Sequence, residues 1–450
     1  MRRAPAKTTM STADPSWNAN WEHARLLRNQ GRYDAACRHL FSAYASPDDA
    51  SAAYEVALFA KQAHRPADAL NYLASVFENG ISTPRLLALM GSLCHVLGDF
   101  AGAREKLLAA WRAGVDLDEW QVLPALAHLQ RYSNRDHPDR TLLEAALADQ
   151  RWAPRTRAAL GFALGKLFDD TEAYGDAVAA WEQAHRWSLL TTGWDDSKWK
   201  RRVDQARQPS ESGHRGVARA WTPVLVVGLP RSGTTLLADR LARHPALRNR
   251  GEMPFLLHVH DLLAAQPRTP ELLTAASELW HAHLRQDDQP GAAGYIDNNP
   301  FNLLALETAF SLDPETRVLW CRRAPADNAL SQWSQSFAHS DYAYAHRFED
   351  IARVQADVAV LHGTMVRRWP SRILTIEYED FVLSPDCTLE RAWHFLGLQP
   401  PRQADGDVHR RGPITSASLW QVRQPIHAGS VGHSRHYVEW LPQLATWQAS

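Results

Sequence analysis

Residues 228–235 read GLPRSGTT, and this stretch decides the fold of the second half of the chain. It continues the apolar run VLVVGL (224–229), which is typical of a β-strand buried on both faces. It leads into TTLLADRLARH (234–244), whose apolar residues recur at helical spacing. The pattern therefore predicts a strand, a tight turn and a helix in that order.

A loop between a buried strand and a helix is suited to holding an anion. Gly228 and Gly233 let the backbone curl so that successive N–H groups point inward, and the helix N-terminus adds about half a positive charge. Thr234 and Thr235 can donate hydroxyl hydrogen bonds, and Arg231 can supply a cation. Nucleotide triphosphatases carry a lysine at the position of Thr234, where it reaches the β- and γ-phosphates. The loop is therefore suited to a single phosphate more than to Mg²⁺-bound polyphosphate; an ordinary Gly/Ser turn is the alternative.

Further strand and helix patterns follow this loop along the chain. The runs TRVLWC (316–321) and RILTIEY (372–378) are short and rich in β-forming residues, and each precedes a stretch with helical periodicity. Alternation of this kind predicts a parallel sheet covered by helices. We assign residues 221–445 to this α/β domain.

The first part of the chain, residues 16–190, is predicted to be all-helical. Four segments share a small turn before an alanine-rich helix, and their aligned alanines, Ala36, Ala69, Ala103 and Ala177, are 33, 34 and 74 residues apart. A period near 34 resembles the tetratricopeptide repeat (TPR); an irregular helical bundle is the alternative. The polar, turn-rich stretch 191–220 is predicted to be a linker.

Composition excludes several classes of function. The 49 basic and 50 acidic residues leave a net charge of −1, which does not favour a nucleic-acid or membrane-surface protein. The last of six lysines is Lys200, so arginine, histidine, hydroxyls and backbone must hold any anion in the second half. The four cysteines lie far apart, which suits small core residues in a reducing compartment. We expect a cytoplasmic protein, because the N-terminus has no apolar signal region.

The loop resembles the 5′-phosphosulfate loop of sulfotransferases, especially the tyrosylprotein sulfotransferases and their bacterial repeat-containing relatives. That family's PRSGTT sequence matches Pro230 to Thr235, including Ser232. The resemblance implies that the loop binds the 5′-phosphate of 3′-phosphoadenosine 5′-phosphosulfate (PAPS), without a metal. The product would be adenosine 3′,5′-bisphosphate.

A second block supports the resemblance. The family's 3′-phosphate motif is an arginine followed eight residues later by a serine, which RAPADNALS matches with Arg323 and Ser331; Arg322 is the adjacent alternative. An arginine at a strand end and a helix serine can converge on one phosphate. If this block stood alone, the favoured interpretation would be a surface arginine and a solvated helix serine with no part in binding.

Further candidate site residues come from the same resemblance. The GE pair in HPALRNRGEMPFL (244–256) makes Glu252 the counterpart of the catalytic base, although it could instead be an acid that stabilises a helix N-terminus. Tyr378 would lie near the nucleotide, and Ser418 matches a serine of the C-terminal segment that covers the cofactor. That segment ends here in SVGHSR, so His433 or Arg435 must supply its cation, and we favour Arg435.

One position departs from the family. The segment YIDNNPFNLL matches the family at Pro300 and Asn302 but places Asn298 where a lysine usually neutralises charge as the sulfate leaves. An amide stabilises a developing anion less than an ammonium does. Either Asn298 donates a hydrogen bond while Arg231 or a histidine supplies charge, or the protein binds nucleotide and is catalytically weak. A plain turn with a shifted alignment is a third interpretation.

The resulting prediction is a TPR-like helical domain joined to a sulfotransferase domain that modifies an acceptor hydroxyl. The repeats would recognise the acceptor, for which a peptide tyrosine, a sugar, a lipid head group and a small phenol all stay open. The rivals are a P-loop kinase or hydrolase and a non-catalytic repeat scaffold. The segments HVHD (258–261) and HAH (281–283) do not make a metal site, because side chains two apart on a helix do not share a face.

Overall fold

The structure is a computed structural model that describes residues 15–45, 49–209, 219–288, 291–337, 339–401 and 419–448. The chain divides into two compact units, Met1–Gly114 with His281–Gln289, and Val115–Trp280 with Pro290–Ser450. Within the described residues, no helix is both long and apolar enough to cross a membrane.

The first unit consists of consecutive helices that pack in pairs. The helices are α1 (Pro15–Asn29), α2 (Tyr33–Ala43), α3 (Ala50–Gln62), α4 (Pro66–Glu78), α5 (Pro84–Leu97) and α6 (Phe100–Arg112). The aligned alanines Ala36, Ala69 and Ala103 are each the fourth residue of the second helix of a pair, and each is fully buried. A small residue at this position allows the two helices of a pair to approach closely.

The second unit begins with further helices. They are α7 (Val122–Leu126), α8 (Pro138–Ala148), α9 (Pro154–Asp170), α10 (Tyr174–Ser188) and α11 (Asp196–Arg207). Ala177 is again the fourth residue of its helix, α10, and is fully buried. The spacing of the repeat pattern therefore coincides with helix position, while its assignment to the TPR family stays a prediction.

A five-stranded parallel sheet forms the centre of the second unit. Its strands are β1 (Thr222–Gly228), β2 (Leu247–Asn249), β3 (Gly294–Asp297), β4 (Arg317–Arg322) and β5 (Ile373–Glu377), in the order β2-β3-β1-β4-β5. In the register of the central strand, Leu225 lies between Asp297 of β3 and Val318 of β4. The apolar run of β1 is buried because it has a neighbouring strand on each side and side chains packed on both faces.

The remaining helices occur between and after the strands along the chain. They are α12 (Thr234–Leu241), α13 (Phe255–Ala264), α14 (Pro270–Arg285), α15 (Leu306–Leu312), α16 (Pro325–Trp333), α17 (Phe348–Arg368), α18 (Tyr378–Leu383), α19 (Pro385–Phe395), α20 (Leu419–Arg423) and α21 (Gln443–Gln448), with 3₁₀ helices at Pro300–Ala305, Ser340–His346 and His433–Tyr437. One core cluster joins Val226 of β1 to Leu237 of α12 and Trp393 of α19.

The predicted combination of a helical region and a parallel sheet with helices is confirmed. The stretch predicted as a linker contains α11, whose Trp199, Val203 and Ala206 are buried, because apolar residues at helical spacing outweigh the polar residues around them. The domain boundaries at 190 and 220 stay predictions. Three cysteines are buried as expected, whereas Cys387 is exposed.

Candidate functional site

The candidate site lies at the carboxyl edge of the parallel sheet. Arg231 follows β1, Glu252 follows β2, Asn298 follows β3, Arg323 follows β4 and Tyr378 follows β5. The carboxyl ends of parallel strands meet at one edge, and ligands of α/β proteins bind there where the strand order reverses. The sheet order places that reversal at the central strand, so the predicted residues share one crevice although they are spread over the chain.

The backbone of the loop depends on two glycines. Gly228 has φ +150° and Gly233 has φ +94°, the left-handed region that other residues avoid. A Cβ on Gly228 would lie 2.4 Å from the carbonyl oxygen of Cys321, and one on Gly233 would lie 2.6 Å from the ring of Tyr378. Arg231 also has a positive φ, +67°. The tight curl expected from the sequence is therefore present.

The hydroxyl residues of the loop are withdrawn from solvent. Ser232, Thr234 and Thr235 are all buried, and Gly233 is the N-cap of α12, which places both threonines in the first helical turn. The Ser232 Oγ has no hydrogen-bond partner among the described residues. Because an unpaired buried hydroxyl is costly, a ligand oxygen would be a favourable partner for it.

Two loops bring arginine and serine together. Arg231 Nε donates to the Ser331 Oγ of α16 at 3.0 Å, which links the loop to the second block predicted from the sequence. Arg323 Nη1 donates to the backbone carbonyl of Arg231 at 3.0 Å, and Arg323 Nη2 donates to the carbonyl of Ser430 at 2.9 Å. The Nε of Arg323 is buried and has no partner among the described residues.

The two guanidinium groups create a strongly positive environment. Burial, together with the nearby charge of Arg323, lowers the pKa of Arg231 to about 10, and Glu252 partly opposes this shift. Like charges that are held together in a buried place repel each other, and a bound anion would relieve that repulsion. The arrangement can therefore bind a phosphate or sulfate ester.

The neighbouring arginine has a different environment. Arg322 is the last residue of β4, and its Nη1 lies 3.3 Å from the Glu377 carboxylate at an exposed position. Arg323 instead lies with its guanidinium carbon 4.8 Å from the centre of the Tyr378 ring. Of the two arginines left open by the sequence, Arg323 is the one that faces the loop.

Glu252 is a candidate base with an environment that suits proton transfer. Burial and the nearby carboxyl of Asp297 raise its pKa from 4.5 to about 7, while Arg231 acts in the opposite direction. Asp297 is itself fully buried, which raises its pKa to about 7 as well, although the backbone N–H groups of Asn299 and Met253 donate to it. A general base works best when its pKa lies near the operating pH.

Asn298 is buried next to Asp297 in the chain. The backbone N–H of Asn298 donates to the carbonyl of Gly251 at 3.0 Å, and its Oδ1 has no partner among the described residues. Asn302 is fully buried, and its amide lowers the pKa of the neighbouring Asp297. The unsatisfied amide oxygen of Asn298 fits a site that receives a polar ligand.

The two candidate cations of the C-terminal segment have different environments. Arg435 is exposed, and its guanidinium lies over Gly432. His433 Nε2 lies 2.8 Å from the Asp169 carboxylate of α9, which raises the pKa of His433 although burial opposes this. Ser418 lies outside the described residues.

Several residues of the site were missed by the sequence analysis. Asn328 donates from its amide to the carbonyl of Pro230 at 2.9 Å and thereby supports the loop. Tyr342 lies close enough to Glu252 for the carboxylate to raise its pKa, although burial is the larger cause. Asn328 lies within RAPADNALS, and the polar pair that it forms with Asp327 in an otherwise apolar helix could have indicated a structural role. No sequence pattern indicated a role for Tyr342.

The histidines that suggested a metal have other contacts. His258 is exposed, and His260 Nδ1 lies 2.8 Å from the Thr308 hydroxyl. In the first unit, His283 Nδ1 lies 2.7 Å from the Tyr33 hydroxyl. No group of three or more potential metal ligands occurs in the described part of the chain.

One part of this chain matches the model of a known protein family. Residues 223–402 match the model described as the sulfotransferase family. Similar solved structures include the sulfotransferase domain of the Synechococcus PCC 7002 olefin synthase, with 20% identity over 54% of this chain and 98% of that chain and a TM-score of 0.37. A sulfotransferase from Alicyclobacillus acidocaldarius shows 17% identity over 52% of this chain and 100% of that chain, with a TM-score of 0.29.

A curated relative matches a longer stretch. An uncharacterized protein from Aquifex aeolicus (strain VF5) is 23% identical over 329 residues, which is 67% of this chain. The match covers 42% of that protein, so this chain spans less than half of its length. Residues 223–402, which include the loop, thus match the model of the family that the loop resembles.

Proposed function

We propose that this protein transfers a sulfuryl group from PAPS to an acceptor hydroxyl. The observation that carries the proposal is the convergence of Arg231, Arg323 and Ser331 from two separate loops at the carboxyl edge of the sheet. The match of residues 223–402 to the sulfotransferase family supports the same reaction class. We also propose that the chain belongs to a branch near the tyrosylprotein sulfotransferases and that its repeats recognise a peptide acceptor.

The residues present fit PAPS. The loop N–H groups, Arg231 and the hydroxyls from Ser232 to Thr235 would hold the 5′-phosphate, and Arg323 with Ser331 would hold the 3′-phosphate and so reject ATP. The unpartnered Ser232 Oγ and Arg323 Nε are available to ligand oxygens. The absence of a side chain at Gly233 lets the ring of Tyr378 pack directly against the backbone of the loop.

The transfer follows from the charges of the site. PAPS, when bound, supplies a sulfuryl group joined to the 5′-phosphate. Glu252 accepts the proton of the acceptor hydroxyl as the oxygen forms its bond to sulfur. Arg231 and the loop N–H groups stabilise the negative charge that collects on the 5′-phosphate as the old S–O bond breaks. The products are a sulfate ester and adenosine 3′,5′-bisphosphate, and the proton remains on Glu252 until solvent removes it.

The site keeps a positive charge although it lacks a lysine at the position where the family usually has one. Asn298 can offer only a neutral hydrogen bond, but the guanidinium of Arg231 lies close enough to Glu252 to affect its pKa. We propose that Arg231 supplies the charge that the lysine usually provides. The buried position of this guanidinium strengthens its interaction with a developing anion.

We propose a phenolic hydroxyl as the acceptor. Tyr342, which lies near Glu252, stacks on Phe337 with ring centres 4.5 Å apart and lies 5.1 Å from Phe301. Aromatic rings favour an aromatic ligand. A phenol, with a pKa of about 10, also gives up its proton to a base of pKa about 7 more readily than an aliphatic alcohol does. Transfer of labelled sulfate to a simple phenol and not to glucose is the expected result.

Calorimetry with adenosine 3′,5′-bisphosphate, without metal, tests the donor site against ATP with Mg²⁺. We expect the bisphosphate to bind and ATP to bind at least about tenfold more weakly, because ATP lacks the 3′-phosphate. Arg323→Ala should weaken bisphosphate binding by about tenfold or more, the lower end for a charge-assisted hydrogen bond. Arg322→Ala should change it less than about twofold, since an exposed ion pair contributes little.

Other outcomes would assign the chain differently. A preference for Mg²⁺–ATP would indicate a kinase or hydrolase and would overturn the proposal. Loss of binding in Arg322→Ala alone would assign the contact with the 3′-phosphate to Arg322. Binding of the bisphosphate without transfer to any acceptor would indicate a nucleotide-binding scaffold, in line with the missing lysine.

A further inference from the structure

The segment from Ser430 to Tyr437 is fastened to the second phosphate block. The carbonyl of Ser430 accepts from Arg323 Nη2 at 2.9 Å. Asp327, in the first turn of α16, accepts from the backbone N–H of Gly432 at 2.6 Å and from that of Ser434 at 2.9 Å. The backbone of this segment therefore provides one of the two carbonyls that orient the guanidinium of Arg323.

The other side of the segment is held by helix α9. The Asp169 carboxylate accepts from His433 Nε2 at 2.8 Å and from the Tyr437 hydroxyl. Tyr437 is fully buried, and its ring lies 5.0 Å from Tyr174 and 5.7 Å from Trp181 of α10. Burial disfavours the charged form of Asp169, but these two hydrogen bonds outweigh it and lower its pKa. The contact is thus an ionised carboxylate with two specific partners.

On the basis of the function proposed above, we propose that Asp169 is a positioning residue for the 3′-phosphate site. Asp169 holds the segment 430–437, and the segment in turn holds Arg323 through the Ser430 carbonyl. A long arginine side chain loses considerable conformational freedom when it is oriented, so fixing its partner in advance lowers the cost of binding a phosphate. A helix more than 150 residues away in sequence from Arg323 therefore belongs to the nucleotide site.

The test compares two ligands in three variants. Asp169→Asn keeps the shape of the side chain and removes its charge, and Tyr437→Phe removes only one hydroxyl. Asp170→Asn is the matched control, because Asp170 is the next residue of the same helix and interacts with Lys166 and the backbone of Tyr132. Each variant is titrated by calorimetry with adenosine 3′,5′-bisphosphate and with adenosine 5′-monophosphate, which lacks the 3′-phosphate.

We expect Asp169→Asn to weaken the bisphosphate by about tenfold and the monophosphate by less than about twofold. Tyr437→Phe should give a smaller loss of the same kind, and Asp170→Asn should bind both ligands as the wild type does. Thermal denaturation of each variant shows whether it is folded. An equal loss for both ligands in the folded variants would indicate a merely structural role and overturn the inference.

Different results would refute the proposed donor site and the positioning role of Asp169. If the wild type shows no preference for the bisphosphate over the monophosphate, the proposed donor site itself is wrong. If the wild type shows that preference and Asp169→Asn and Tyr437→Phe both retain it in full, only the positioning role of Asp169 is refuted.

Discussion

Replacing Glu252 by glutamine should abolish transfer and yet stabilise the fold at alkaline pH. The substitution keeps the size and polarity of the side chain and removes its ability to accept a proton. Burial and Asp297 raise the pKa of Glu252 from 4.5 to about 7 in the folded protein. The folded state therefore binds this proton more tightly than the unfolded chain does. As the pH rises from 4.5 through 7, ionisation of Glu252 progressively lowers the free energy of unfolding of the wild type.

The magnitude follows from the size of this shift. Each pKa unit corresponds to about 1.4 kcal/mol, so a change from 4.5 to about 7 corresponds to an upper limit of about 3–4 kcal/mol above pH 8. Glutamine does not ionise and avoids this cost. The variant should match the wild type in stability near pH 4 and exceed it by up to that amount at pH 8.5.

Two assays check the prediction. Thermal denaturation of both proteins at pH 4 and pH 8.5 measures the difference in stability, and labelled PAPS measures transfer. Adenosine 3′,5′-bisphosphate should bind the variant within about twofold of the wild type, because Glu252 is placed on the acceptor side. Glu377→Gln is the matched control, since Glu377 is partly exposed and paired with Arg322. Wild-type turnover in Glu252→Gln, or the same stability difference at both pH values, would refute the assignment of Glu252 as a base with a raised pKa.

Two further predictions concern the loop and the buried pair of His185 and His346. Gly233→Ala should reduce bisphosphate affinity at least about tenfold, because the new Cβ would lie 2.6 Å from the Tyr378 ring. Gly397→Ala has a positive φ but open space around it, so it should cost only the conformational penalty of about 1–2 kcal/mol in a melting experiment and leave affinity unchanged. Burial and their mutual repulsion lower the pKa of His185 to about 3, and burial lowers that of His346 to about 4, so both stay neutral in the fold while the unfolded chain takes up protons below 6.5. Stability should therefore fall by about 2 kcal/mol per imidazole between pH 7 and 5, and the drop should be smaller in His185→Gln; an equal drop would contradict this account.

Local features of the site could be predicted because they depend on neighbouring residues. The apolar run before Gly228, the glycine at 233 and the threonines after it determine a strand, a turn and a helix start within a dozen residues. The spacing of Arg323 and Ser331 along one strand end and helix was also visible. In the folded chain, Ser331 indeed lies within hydrogen-bond distance of Arg231.

Choices between equivalent side chains could not be made from the sequence. Arg322 and Arg323 are adjacent and chemically identical, and only the pairing of β4 with β5 directs the first toward Glu377. His433 and Arg435 were both open as the C-terminal cation. The partner of His433 is Asp169, 264 residues away, which no local pattern relates to it.

The sequence by itself determined the α/β order of the second half, the strand, turn and helix around the loop and the helical nature of the first part, because these depend on periodicity and on the conformational freedom of a few glycines. Only the tertiary structure decided which arginine faces the loop, how strongly Glu252 is shifted toward neutral pH and which helix holds the C-terminal segment. Those properties arise from burial and from contacts between distant segments, and both exist only once the chain has folded.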